Sequence, residues 1–214
     1  MGVPNLLYRN TSLEHARAFV EEGEILFRPL TFFRNIEDAT RADAMEAKFS
    51  KSAAGLHLSV DLVDDGNFVP FVTLDSGVIS FEVNNADQIH VACLSLRPQP
   101  KFGDSTIEIF KPAEFLERLS VALDSANALL RYGSVQYYDE SAKLSGPPGR
   151  HLWLMKRKSY ESEAEFRLSF IVHDGAEMYR RAFKNEPSVE GCLVAPFVKV
   201  RIGALTNISR LIHC

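Results

Sequence analysis

The sequence predicts an α+β fold with a largely antiparallel sheet, in a single domain over residues 1–214. Three observations lead there. The chain has 214 residues, 46% of them apolar, enough for one sizeable core and short for two. Period-two alternation, the mark of a half-buried strand, recurs along much of its length. Strands and helices come in mixed order rather than as repeated βαβ units, so nothing demands a parallel sheet.

Taken in order, Leu6, Leu7 and Tyr8 form a short strand over residues 5–9, closed by Arg9 and Asn10. Thr11 is placed to cap a helix, and Glu14 three residues on completes a capping box. Leu13, Ala16, Phe19 and Val20 give that helix its apolar stripe, and Gly23 stops it. Residues 24–27 are a second short strand, after which Arg28 and Pro29 break into the turn PLTFFRN. Residues 36–49 are charged and helix-prone with a weak stripe, which predicts a surface helix or a partly mobile segment. Residues 56–63 and 68–74 alternate on either side of Asp64-Asp65-Gly66-Asn67, a hairpin signal. A strand over 78–83 follows, and residues 89–96, IHVACLSL, are the most apolar strand and therefore central. After a Pro/Gly loop at 97–104 and a strand at 106–110, Pro112 occupies a first helical position. Phe115, Leu119, Ala122, Ala126 and Leu129 carry this longest helix to about Tyr132, with Gly133 as its stop. A strand at 135–138, a loop at 145–149, a helical turn at 177–184, a strand at 197–202 and the segment 205–212 complete the chain.

Residues 163–172 alternate strictly. Ala164, Phe166, Leu168, Phe170 and Val172 share one side, and Glu163, Glu165, Arg167 and Ser169 the other. On a strand the two carboxylates then point the same way, close enough for one to titrate above its ordinary value. Such a pair can present a general base beside a charge-stabilising group. The competing reading is an ordinary solvent face neutralised by Arg167.

Several classes are excluded. No apolar run is long enough to cross a bilayer, and MGVPNLLYRN lacks the basic start and apolar stretch of a signal peptide, so a cytoplasmic protein without a membrane partner is expected. Cys93, Cys192 and Cys214 are odd in number and widely spaced, as in a reducing compartment. The formal net charge of −4 argues against general nucleic-acid binding. The one basic cluster, Arg150, Lys156, Arg157 and Lys158, is expected to be a solvated face or loop. No Rossmann fingerprint, P-loop, HExxH, paired CxxC or nucleophile elbow occurs, and no metal is expected. The scattered histidines are expected to be structural, and Cys93, in its apolar strand, to be inert filling.

Three places remain: Arg9 ending the first strand, Ser95 ending the central strand in CLSL, and Glu163 and Glu165 late in the chain. An early strand ending in Arg, a Ser on a middle strand and a late Glu-x-Glu resembles the Arg-Ser-Glu class of ADP-ribosyltransferases. The resemblance implies an ADP-ribosyltransferase-like fold with a split sheet, and NAD as substrate. By motif position Arg9 would hold NAD phosphate or ribose, and Ser95 would support the NAD-contacting residues. Glu165 would bind the nicotinamide ribose and stabilise its oxocarbenium-like transition state, and Glu163 would orient the acceptor. Tyr8 joins Arg9 and Ser95 as a cofactor-binding candidate, because Tyr8, Phe32, Phe33, Trp153 and Tyr160 can supply a base-stacking wall.

A longer resemblance is carried by LYRNTSLEHARAFVEEGEILFRPLTFFRNIED, CLSL, YESEAEFRL and VKVRIGA. It is to the bacterial proteins grouped as domain of unknown function 2971, and it implies a bacterial or phage cytosolic protein without assigned activity. Together these lead to an ADP-ribosyltransferase-like enzyme that uses NAD to modify a macromolecule or hydrolyses NAD, in phage defence or counter-defence. The alternative is a non-catalytic module of the same architecture that binds a nucleotide or a partner protein. An enzyme of this class should gather Arg9, Ser95 and Glu165 in one cleft.

Overall fold

A strand that alternates apolar and polar side chains is stable only when its apolar side is covered, and two amphipathic helices supply that cover here. The computed structural model describes residues 2–34, 48–52, 56–61, 68–74, 78–82, 86–126, 128–139, 152–171 and 197–213. In chain order the elements are β1 (Leu7–Thr11), α1 (Leu13–Glu22), β2 (Glu24–Pro29), α2 (Leu30–Arg34), β3 (Lys48–Ser52), β4 (Leu56–Asp61), β5 (Phe68–Leu74), β6 (Val78–Glu82) and β7 (Ile89–Ser95). Then follow β8 (Ser105–Ile109), α3 (Pro112–Asp124), β9 (Arg131–Ser134), β10 (Gln136–Tyr138), β11 (Met155–Arg157), β12 (Glu165–Ile171), β13 (Val198–Arg201) and β14 (Ser209–His213).

Eight strands make one sheet in the order β13-β2-β7-β1-β8-β14, with β12 beside β7 and β9 beyond β12. Its pairs are antiparallel, as the mixed element order predicts. β12 runs along β7 from Ile89 to Ser95. On the other edge of β7, β2 pairs at His90 and Val91, and β1 pairs at Ser95. Two strands thus share one edge of β7 and the sheet forks between them. β3 with β6 and β4 with β5 form separate antiparallel pairs, and β10 with β11 a short parallel one.

One face of the large sheet is the main core. Leu7, Phe27, Ala92, Leu94, Ile107, Ile109, Phe166, Leu168 and Phe170 project from it onto Ala16 and Phe19 of α1 and Phe115, Leu116, Leu119 and Leu123 of α3. Each fully buried Phe or Leu contributes on the order of 2 kcal/mol. A smaller apolar cluster on the other face joins Ile89 and Val91 to Leu30, Ala86, Trp153 and Leu154. His90 is buried among the core residues, stacked on Phe170 at 5.5 Å, and burial lowers its pKa to about 4, so it is neutral and structural. Among the described residues no helix is long and apolar enough to cross a membrane.

Several boundaries move from their sequence-based places. Thr11 is taken into β1 opposite Ser105, so the cap passes to Ser12, whose hydroxyl accepts from the His15 amide at 3.5 Å. Glu14 is then one position too early for a capping box. The PLTFFRN turn contains the short helix α2. α3 stops at Asp124, not Tyr132, because residues 131–134 are needed as a strand against β12. Leu123 O accepts the amides of Ala126 and Ala128 to make the exit, and Leu129 is left exposed. Gly133 therefore ends no helix and lies opposite Arg167. The expected surface helix falls outside the described residues, save Lys48 and Phe49 in β3, as do the loop at 145–149 and the turn at 177–184.

Gly23 ends α1 with φ +65°, and a Cβ built there would clash with the Gly203 carbonyl oxygen. Gly23→Ala is expected to lose more than ~1 kcal/mol of stability, from the left-handed conformation and the backbone clash together. A urea midpoint equal to that of the unsubstituted protein would contradict this packing of α1 against the turn after β13.

Candidate functional site

The pleat decides which side chains meet. Phe166, Leu168 and Phe170 turn into the main core, so Glu165, Arg167 and Ser169 turn the other way, as Cys93 and Ser95 do on β7. Register then aligns one row across five strands. Arg210 lies opposite Glu108, Glu108 opposite Tyr8, Tyr8 opposite Ser95, and Ser95 opposite Glu165. One step along, Cys93 lies opposite Arg167.

Part of this row lines a pocket of about 240 Å³. Tyr8, Asn10, Cys93, Ser95, Glu165 and Arg167 reach it from the sheet, Lys156 and Glu163 from the segment before β12, Phe32 and Phe33 from α2, and Gln99 and Phe102 from the connection between β7 and β8. The Phe32 and Phe33 rings meet edge to face at 5.6 Å, and the Arg28 guanidinium stacks 4.4 Å from the Phe32 centroid. Tyr8 directs its hydroxyl to Glu108 at 3.5 Å, which holds its ring in place.

The two carboxylates are in different states. Glu165 accepts from Arg167 Nε at 2.6 Å and Nη2 at 3.2 Å, and from Lys156 Nζ at 3.4 Å. Both oxygens of the carboxylate are therefore engaged by cationic donors. The Cys93 side chain lies beside the same carboxylate. Burial alone would raise the Glu165 carboxyl, but the Arg167 and Lys156 charges and the Arg167 hydrogen bonds overcome it and hold the pKa at about 2. Glu163 receives Lys156 Nζ at 2.7 Å. Its burial outweighs that cation and keeps its carboxyl above the ordinary range. The Cys93 side chain is exposed to the pocket, yet the protein packed around its sulfur and the Glu165 charge push its thiol well above its usual value, so it is protonated.

Glu163 reaches Lys156 because it is not on the strand. It ends a 3-10 turn, Lys158–Glu163, and Ala164 takes the left-handed conformation at φ 46° before β12 begins. That conformation costs a non-glycine residue about 1–2 kcal/mol and is held by the neighbouring loop. Leu96 donates its amide to Ala164 O at 2.7 Å, and Arg97 Nη2 donates to Ser162 O at 2.9 Å. Gln99 Nε2 donates to Ser162 O at 2.7 Å and Glu163 O at 3.2 Å. Asn10 Oδ1 anchors this loop to the sheet by accepting from the Gln99 amide at 3.1 Å and Thr106 Oγ1 at 2.9 Å.

Of the residues singled out in the sequence, Tyr8, Ser95, Glu163 and Glu165 line the pocket and Arg9 does not, so the expected gathering of Arg9, Ser95 and Glu165 in one cleft is not met. Arg9 shares the face of Leu7, one step out of phase with Tyr8, and its guanidinium lies 5.3 Å from the Phe19 ring of α1. Burial lowers its pKa, and the Glu24 charge opposes that. Ser95 donates to Arg97 O at 2.7 Å and accepts from Asn10 Nδ2 at 3.4 Å, a hydroxyl satisfied within the fold. The Glu-x-Glu pair is no solvent face: Glu165 is 5% exposed and Arg167 2%. Lys156 is 6% exposed rather than solvated, and Cys93 is open to the pocket rather than filling the core. Trp153 belongs to the smaller apolar cluster, and Tyr160 lies over Lys156 at 4.6 Å. Sequence reasoning missed Asn10, Gln99 and Lys156. Strand parity, with Leu7 in the core, was the available signal for preferring Asn10 to Arg9. Among the described residues no group of three His, Cys, Asp or Glu side chains is arranged to hold a metal ion.

Glu165 and Glu163 give opposite pH signatures. The Glu165 pKa is lower folded than unfolded, so its contribution is present above about pH 4 and lost as pH falls toward 2. The Glu163 pKa is higher folded than unfolded, so its contribution is present below about pH 4 and lost as pH rises through the folded value. Glu165→Gln is expected to cost ~3–5 kcal/mol at pH 7, because Arg167 loses its buried counter-charge. It should also flatten the acid limb of a stability-against-pH curve measured by urea unfolding. An acid limb as steep as that of the unsubstituted protein would contradict the assignment.

No family model, no curated protein and no solved structure matches the chain.

Proposed function

We propose that this chain is an ADP-ribosyltransferase-like protein that takes NAD into the pocket in front of β1, β7 and β12. The observation that carries the reading is the row Tyr8–Ser95–Glu165, which brings the late glutamate strand, the middle serine strand and the opening strand side by side under an aromatic wall. The forked sheet fits the same class. A planar base would lie against Phe32, Phe33 and Tyr8, and ribose hydroxyls would meet the Glu163 side of the floor.

Cleavage breaks the bond from ribose C1′ to the nicotinamide nitrogen, the electron pair leaves with nicotinamide, and positive charge develops on the ribose. Glu165 accepts from Arg167 and Lys156 on both oxygens, so its part is to fix these two cations. Glu163, with a raised pKa and a side open to the pocket, is the carboxylate that faces the developing charge and takes the proton of the attacking water or acceptor hydroxyl. Phosphate binding by Arg9 has no support in this geometry, since its guanidinium lies on the α1 side of β1.

The neutralisation of Glu165 favours one second reading, a module of the same architecture that binds a nucleotide without turning it over. The two readings share a binding step and differ in chemistry. Millimolar NAD is expected to raise the melting temperature by roughly 2 °C or more, since a ligand of the native state stabilises it. Under the enzyme reading the protein releases nicotinamide from NAD, and Glu163→Gln lowers that rate about a hundredfold with little change in NAD stabilisation. Stabilisation without release selects the binding module. No thermal shift with NAD removes both.

A further inference from the structure

We propose that Lys156 is the positioning residue of the pocket: its ammonium bridges the two carboxylates and fixes Glu163 at the pocket wall. This deepens the function proposed above but stands on the geometry of the chain alone. A lysine at 6% exposure is held inside only if its charge is met. Here Nζ lies 2.7 Å from Glu163 Oε2 and 3.4 Å from Glu165 Oε2, with the Tyr160 ring at 4.6 Å.

The division of labour follows from the partners. Arg167 directs Nε and Nη2 to Glu165 and Nη1 to Trp153 O at 2.6 Å. Its strongest contacts are thus made away from Glu163, and Lys156 is the cation in direct contact with the Glu163 carboxylate. Glu165, tied to Arg167, is the fixed end of the bridge, and Glu163 is the end that meets the pocket. β11 sets the height of Lys156, because it pairs in parallel with β10 and places Lys156 opposite Tyr137. The Tyr137 hydroxyl in turn accepts the Glu165 amide at 2.8 Å, so β10, β11 and the start of β12 are locked together.

Among the described residues the groups that face this bridge are Cys93 from β7, Tyr137 from β10, Tyr160 from the 3-10 turn, and Glu165 and Arg167 from β12, with Arg157 of β11 against the Tyr160 ring. Cys93 is protonated, and Tyr137 is pushed up to about 12 by burial, so neither changes charge at neutral pH. Loss of Lys156 would leave Glu163 beside Glu165 in a buried setting, where burial and like charge both favour the protonated acid.

The experiment is a carbon-13 NMR titration of the Glu163 carboxyl in the unsubstituted protein, Lys156→Met and Lys156→Arg. Lys156→Met is expected to move the midpoint upward by about one pH unit or more, and Lys156→Arg to keep it within a few tenths. Equal midpoints in the unsubstituted protein and Lys156→Met overturn the proposal. If Lys156→Met does not fold, Glu163→Gln supplies the reciprocal measurement. Removing the carboxylate charge should speed exchange of the Lys156 ammonium protons with water about tenfold or more, read from the nitrogen-15 signal of Nζ, and unchanged exchange overturns the proposal. Neither measurement uses NAD. Absence of any NAD effect therefore sinks the nucleotide reading by itself, and unchanged titration sinks the role of Lys156 by itself.

Discussion

A guanidinium that is 2% exposed must have its charge met inside the protein, because a buried charge without a partner costs several kcal/mol. Arg167 meets this demand on its own strand. Glu165, two residues back on the same face, accepts from two of its nitrogens, and Trp153 O accepts from the third. The pair is worth little against two apolar side chains of the same volume. Its consequence is positional: Glu165, Arg167 and Trp153 O become fixed points, and Lys156, Cys93 and the Tyr137 hydroxyl are arranged around them. The charges are matched within this group, with Lys156 and Arg167 against Glu163 and Glu165.

The fold supplies the setting through two features. Antiparallel register carries the polar row from Arg210 on β14 to Glu165 on β12, so residues far apart in sequence share one line. The fork in the sheet lets β1 reach β7 at Ser95 while β2 pairs further along, which opens room for Phe32 and Phe33 beside the row. The opposite face is apolar and closed by α1 and α3. Rigid packing behind the row is what allows a strained Ala164 and a hydrogen-bonded loop at 96–99 to hold Glu163 in one place.

The class of fold was legible in the sequence because it rests on local signals. The apolar run of residues 89–95, the alternation in residues 165–170, the glycine at 23 and the proline at 112 each act within a few residues. Boundaries failed where a distant partner decided them. Thr11 pairs with Ser105, and residues 131–134 pair with β12, and no local pattern announces either. The position of the candidate site in the fold was legible in part for the same reason. Tyr8, Ser95 and Glu165 sit on well-signalled strands and fall in one row. Glu163 was placed on the strand because period two cannot register a left-handed residue at Ala164. Lys156 looked like one charge in a basic cluster, and its burial depends on a parallel pairing with β10 that the sequence does not advertise.

On the function proposed above, ligand chemistry belongs to the Tyr8–Ser95–Glu165 face of the sheet and not to the Arg9 face. The most direct measurement is an amide nitrogen–proton NMR map of the protein titrated with NAD. The account predicts saturable shifts concentrated at Asn10, Ser95, Gln99, Lys156 and Glu163, with α1 and β13 still. Shifts centred instead on Arg9, Phe19, Glu24 and Arg201 would contradict it, and so would a spectrum that NAD leaves unchanged.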